Sequence, residues 1–229
     1  MAEHEITPFL KIEPWDGLKP ILNDEKKNDI EKLITDLKQF PGEVRLTLAH
    51  EMNVPKENAW YPWQGVPGDY RHAMNYFAEK IGKIGANNIK LVFNINQYDV
   101  NDIEIYYPGD RTISYLAIDG YNWGPTQTWG SRWQEFSDIF RGPIIALQEI
   151  TKEKPVMIGE FSSTEVGGSK SSWIRNAFLT MKELNIESFI WFDINKEQDW
   201  RVNSSPASVA AFEESLKDPY FIQGKTLIP

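Results

Sequence analysis

Two glutamates stand where a carboxylate can act. Glu51 follows His50 at the end of the apolar run VRLTLAHE (Val44–Glu51), and Glu160 follows Gly159 in PVMIGEF (Pro155–Phe161). A carboxylic acid and a carboxylate about 5 Å apart carry out retaining glycoside cleavage. One protonates the departing oxygen and the other attacks the anomeric carbon. The acid must hold its proton at working pH while the nucleophile stays ionised. The competing reading of each residue is a strand-end glutamate that caps a loop or pairs with Arg or Lys.

Aromatic side chains crowd the same region of the sequence. The chain holds 9 Trp, 9 Tyr and 12 Phe, 13% of its residues. Flat rings are what a sugar-stacking surface needs, and a Trp-rich core is the alternative use for them. Polar and aromatic residues gather at the ends of the apolar runs: Glu13 and Trp15; His50, Glu51 and Asn53; Asn94 and Asn96; Asp119, Tyr121 and Asn122; Glu160; Trp191 and Asp193. Asn94 and Asn96 are candidate hydroxyl binders. Glu13 and Trp15 either contact a distal sugar or close a rim. Asp119 before Gly120 and Asp110 after Pro108–Gly109 read as structural, and Asp193, Asp199 and Arg201 read as a loop-pinning network. His50 is either a sugar contact or a core histidine. His4 and His72 lie near no metal-like cluster and HExxH does not occur, so neither a metal nor a cofactor is expected.

The elements that must position these residues follow from periodicity. Six short, β-branched and aromatic runs are apolar along their length: Pro8–Trp15, Val44–Glu51, Ile89–Asn96, Ile113–Asn122, Pro155–Phe161 and Ser188–Ile194. That is how strands covered on both faces of a parallel sheet read. Helical spacing occupies Asp24–Phe40, Asp69–Ile84, Trp133–Ile150, Ser171–Leu184 and Ser205–Leu216, with Asp69, Ser171 and Ser205 as candidate caps and Pro206 in a first turn. Gln97–Arg111 reads as a loop, and Gly167–Gly168 as a turn. Alternating β and α predicts an α/β fold, a TIM-type (β/α) barrel whose site lies at the C-terminal strand ends. A Rossmann-like sheet is the rival, but neither GxGxxG nor a P-loop follows any strand. The chain, residues 1–229, reads as one domain.

Composition narrows the function. A net charge of −9 and a pI near 5.0 argue against nucleic acid and against a polybasic membrane surface. The absence of cysteine removes disulfides, thiolate metal sites and thiol nucleophiles. No run approaches the roughly 18 apolar residues of a membrane span. MAEHEITPFL lacks a signal-peptide core, which as written predicts a chain that stays in the cytoplasm.

The runs AHEMN and WYPW (Ala49–Asn53, Trp60–Trp63) resemble glycoside hydrolase family 26, the β-mannanase family of the clan of retaining (β/α)8 enzymes. IEPW (Ile12–Trp15), YYPGD (Tyr106–Asp110), IDGYN (Ile118–Asn122), KPVMIGEFSS (Lys154–Ser163), IWFD (Ile190–Asp193) and DWRVNSSP (Asp199–Pro206) follow in family order across nearly the whole chain. The resemblance implies Glu51 as acid/base at the end of the fourth barrel strand and Glu160 as nucleophile at the end of the seventh. It implies Tyr121 as the hydrogen-bond partner of the nucleophile, Trp191 as the aromatic floor under the sugar, and Trp60 as a cleft-lining ring. His50 stands where most of the clan has Asn. The implied substrate is β-mannan, with mixed-linkage β-glucan and β-1,3-xylan as alternatives, and secretion is implied for the family.

Two departures from the family pattern stand out. Six strands are visible where the closed barrel needs eight, and IEPW counts as the third. Three explanations fit: a fragment or mis-started frame, a homo-oligomer or second chain that closes the barrel, or a minimal variant with a rearranged sheet. VPKENA (Val54–Ala59) is also longer than the usual link, which would reseat Trp60. A non-catalytic carbohydrate-binding relic and a barrel-completing subunit are the competing readings from other functional classes.

Overall fold

The computed structural model describes residues 6–221. Six strands form one sheet in the order β1-β2-β3-β4-β5-β6, namely β1 (Phe9–Ile12), β2 (Val44–Leu48), β3 (Ile89–Asn96), β4 (Tyr115–Asn122), β5 (Val156–Ser163) and β6 (Ser188–Trp191). Every strand expected from sequence is present, most of them shorter than expected and β5 extended to Ser163. Helices follow in alternation: α1 (Lys19–Leu22), α2 (Lys27–Lys38), α3 (Pro67–Ile84), α4 (Phe136–Ile150), α5 (Lys170–Glu183) and α6 (Pro206–Ser215). The fold is α/β, a TIM-type barrel pattern carrying six of the eight βα units.

Contacts divide the described chain into two compact units, one of residues 6–117 and 150–155 and one of residues 118–149 and 156–221. In the first unit, β1 and β2 pair in parallel from Phe9↔Arg45 to Ile12↔Leu48, and β2 and β3 from Val44↔Ile89 to Leu46↔Leu91. All five residues of β2 are buried, as its continuous apolar run predicts. Its one charged member, Arg45, keeps its guanidinium 3.9 Å from the Tyr115 ring centroid and 3.1 Å from Glu43. Ile34 from α2 and Tyr70, Met74 and Phe77 from α3 complete the core, at helical spacing.

In the second unit, β5 and β6 pair in parallel, with the register broken between Ile158 and Phe161. Phe136 stacks on Phe140 at 4.4 Å and meets Trp173 edge-on at 5.5 Å, so α4 and α5 share one aromatic core.

Three local expectations are corrected. The α3 helix begins at Pro67 with Val66 at its N-cap, so Asp69 sits in the first turn, where it pairs with Lys19 at 3.0 Å. The α5 cap is Ser169, whose side chain accepts from Ser172 N, because Ser171 is already helical. The Gln97–Arg111 loop contains a 3-10 turn at Ile103–Tyr106. Ser205 does cap α6, and Pro206 does open it. His4 lies outside the described residues.

Candidate active site

Glu51 lies just past β2 and is buried to 7% exposure. Its backbone is left-handed, φ 58°, and so is that of Ala49, φ 56°. Non-glycine residues in that region carry strain of about 1–3 kcal/mol and cluster at functional sites. Neighbours hold the strained turn in place. Glu51 N donates to Asn94 O at 2.8 Å, and Ala49 N to Ile12 O at 2.8 Å. Gln64 Nε2 donates to Glu51 O at 3.0 Å, and Trp63 Nε1 to His50 O at 2.7 Å.

The Glu51 side chain is also held. Asn96 Nδ2 donates to Glu51 Oε1 at 2.7 Å. Asn96 Oδ1 accepts from Tyr98 N at 2.7 Å, while Asn53 bonds the Asn96 backbone at N and O, 2.7 and 2.9 Å. In the structure both ends of the Asn96 side chain are engaged within the protein, and it orients the carboxyl.

Beside the His50–Glu51 turn the WYPW segment forms an aromatic cluster. Tyr61 stacks on Trp63 at 4.4 Å, and His50 approaches both rings at 5.4 and 5.8 Å. Trp15 meets Tyr61 and Trp63 edge-on at 5.4 and 5.6 Å, with its Nε1 donating to Glu13 at 3.1 Å. Trp15 and Trp60 remain 62% and 50% exposed, which leaves ring faces free for a ligand. Gln64, itself fully buried, accepts from Trp60 N and Tyr61 N at 2.9 and 3.0 Å and so fixes the segment that the longer VPKENA link precedes. A cavity of about 310 Å³ opens beside Trp15, with Ile30, Leu33 and Phe77 in its lining, and is mostly apolar.

The second unit carries the other carboxylate. Glu160 falls at the register break of β5, the kind of irregularity that re-aims a side chain. Tyr121, at the end of β4, donates its hydroxyl to Glu160 Oε2. The Tyr121 ring packs at 5.1 Å on Trp200, which is fully buried. Trp191 donates Nε1 to Trp200 O at 2.8 Å and meets Phe161 edge-on at 4.9 Å, so it is tied to the strand that bears Glu160. Ser162 Oγ donates to the same carbonyl at 2.6 Å. Asp199 and Arg201 form a two-bond ion pair at 2.8 and 2.8 Å, and Asp193 accepts from Val202 N at 2.7 Å. Each of the three expected loop-pinning residues thus takes part in holding the rim. Asp110 accepts from the Tyr107 hydroxyl at 2.6 Å in the Gly109 turn.

Lys170, unremarked in sequence, is fully buried at the start of α5. Its Nζ donates to Asp199 O at 3.3 Å, Arg201 O at 2.8 Å and Ser204 Oγ at 2.9 Å. Burial pulls its pKa down from 10.5 to about 8, opposed by Glu165, Asp199 and Asp193. Desolvation pushes the Glu165 carboxyl up, but bonds from the Ser204, Ser208 and Ser205 hydroxyls outweigh it and leave its pKa lowered. Between pH 8 and 10.5 the unfolded chain holds the Lys170 proton that the folded chain has released. Stability from this group therefore rises with pH across that window. Urea unfolding at stepped pH is expected to show the wild-type minus Lys170→Met difference climbing by up to about 3 kcal/mol. A flat or falling difference would contradict it.

Among the described residues no cluster of His, Cys, Asp and Glu suits a metal, and no helix is long and apolar enough to cross a membrane.

No family model matches the chain. Over 221 residues, 89% of the chain, it is 37% identical to Endoglucanase H of Acetivibrio thermocellus. That alignment takes in 23% of the relative's length. In fold it is similar to a GH26 β-mannanase from Bacteroides ovatus, with TM-score 0.70, 15% identity, and coverage of 99% of this chain and 72% of that one. The catalytic domain of a GH26 endo-β-1,4-mannanase from Bacillus sp. JAMB-750 gives TM-score 0.66 and 18% identity, covering 89% of this chain and 60% of that one. The chain shares its fold with these family 26 enzymes.

Among the candidate site residues, Trp15, His50, Glu51 and Trp60 lie beyond a strand end, Asn96, Tyr121 and Trp191 at or next to one, and Glu160 within β5 at its register break. His50, Glu51, Trp60, Asn96 and Trp15 gather in the first unit, and Tyr121, Glu160 and Trp191 in the second. Sequence reasoning passed over Gln64, Trp123, Trp129 and Lys170. Gln64 immediately follows WYPW, and that adjacency was the available signal.

Proposed function

We propose that the chain is a retaining β-glycan hydrolase working by double displacement. Glu160 is the nucleophile and Glu51 the acid/base, with Tyr121 as the hydrogen-bond donor to the nucleophile and His50, Trp60, Trp191 and Trp15 contacting substrate. The observation that carries this reading is that Glu51 is held in a strained, hydrogen-bonded turn with one carboxyl oxygen engaged by Asn96. That arrangement fixes the direction in which the carboxyl points. At Glu160 the Tyr121 hydroxyl stabilises the ionised form a nucleophile needs. Formation of the glycosyl ester removes the charge on Glu160, and Glu51, having given up its proton, then accepts one from water.

The 37%-identical stretch shared with an endoglucanase favours a β-1,4-linked glucan backbone, mixed-linkage glucan included. A mannan backbone is the second reading, favoured by the fold neighbours described as mannanases. No cofactor enters either reading. Reducing-end release from mixed-linkage glucan, mannan, β-1,3-xylan and cellulose is the test. Release from one β-1,4 polymer at least tenfold above the others supports the reading, and release from none would overturn it.

A further inference from the structure

The loop after β4 exposes an aromatic surface that the proposed chemistry does not use. Trp123 lies 6.0 Å from Tyr121, and Trp129 a further 6.4 Å from Trp123, edge-on at 76°. The rings thus step away from the side chain bonded to Glu160. Trp129 is 68% exposed, more than any other large apolar side chain among the described residues.

The loop that presents it is firmly held. Asn122 Oδ1 accepts from Gly124 N and Gln134 N at 3.2 and 3.0 Å, tying the two ends together, and Asn122 Nδ2 donates to Ser163 Oγ at 2.9 Å. Ser131 Oγ donates to Gly124 O at 2.5 Å and accepts from Gln127 N at 2.9 Å. Gly124 has φ 57°, and a Cβ there would lie 2.1 Å from Val166 O, so the close approach requires glycine. A turn closed by Gly130 N to Gln127 O at 3.2 Å then places the indole in water. The loop is thus pinned tightly while its largest apolar ring stays in solvent.

The ring itself points to the partner. Thr126 Oγ1 donates to Trp123 O at 2.7 Å and accepts from Gln127 Nε2 at 3.2 Å, so these polar groups stiffen the turn, and the indole face matches the C–H face of a pyranose. We propose that Trp129, backed by Trp123, is an outlying stacking subsite for a β-linked pyranose chain that extends beyond the residues held at Glu160. The inference rests on the glycanase reading and adds to it a dependence on substrate length.

The test compares wild type and Trp129→Ala on β-1,4 tri- and hexasaccharides, and by retardation in gels containing soluble glucan or mannan. Trp129→Ala is expected to lose about fivefold to tenfold in kcat/KM on the hexasaccharide. On the trisaccharide it should stay within about twofold of wild type, because the chemical groups are untouched. Trp129→Phe should recover most of the loss. An equal loss at both lengths, or none at either, would overturn the subsite and leave the catalytic reading standing. A wild type that hydrolyses nothing but is retarded through Trp129 would sink the catalytic reading and keep the subsite. A wild type neither active nor retarded would sink both.

Discussion

Glu160→Ala is expected to abolish polysaccharide hydrolysis, lowering kcat on the order of 10⁵-fold or more, as removal of a covalent nucleophile does. The variant should fold. Glu160 is only half-buried, and its side chain bonds to Tyr121 rather than filling the Phe136–Phe161–Trp173 core. Alanine also leaves a space next to the reacting carbon. A small anion such as azide or formate can enter that space and attack in place of the lost carboxylate. Activity on an aryl glycoside with a good leaving group should therefore return with added azide, and the product should be the glycosyl azide of inverted configuration. That rescue separates a missing nucleophile from a damaged fold. A Glu160→Ala chain that retains even a tenth of wild-type turnover would remove Glu160 from the mechanism.

Glu51→Gln is expected to reduce turnover on polysaccharide about 10²- to 10⁴-fold, the usual contribution of general acid–base catalysis. Glutamine keeps the shape of the side chain and its Oε1 acceptor, so the 2.7 Å bond from Asn96 survives and the geometry is preserved. What is lost is the acidic proton of the carboxyl. An aryl glycoside whose leaving group needs no protonation should therefore still form the covalent intermediate. Water would then attack slowly without its base, giving a burst followed by a slow steady state and a lowered KM. Azide, which needs no base, should accelerate the second step with retention. Loss of activity to the same extent for good and poor leaving groups would argue that Glu51 is not the acid.

The parts of this protein that sequence made legible are those where one residue type serves one local purpose. The continuous apolar runs of β2 and β3 could only be strands buried on both faces, and both appear. Ser205–Pro206 carried its own start signal for α6. Glu51 and Glu160 stood out because a carboxylate at an apolar strand end needs a reason. The missed parts depend on long-range pairings. Nothing local marks Lys170 as the anchor of a loop 29 to 34 residues away, since the pairing exists only once α5 and the Asp199–Ser204 segment meet. Asn96 is a similar case. Only the fold shows its amide turned to Glu51, 45 residues earlier. The Asp69 and Ser171 caps failed for a smaller reason, because a proline or serine two residues upstream started the helix first.

The most direct measurement is covalent trapping. A 2-deoxy-2-fluoro glycosyl fluoride of the preferred sugar slows both steps, but slows breakdown of the ester most, so the intermediate accumulates. Mass spectrometry of the digested protein is expected to find one added glycosyl group, on the peptide containing Glu160. An adduct on another residue would contradict the account, as would turnover of the substrate with no adduct or a chain that neither turns over nor labels.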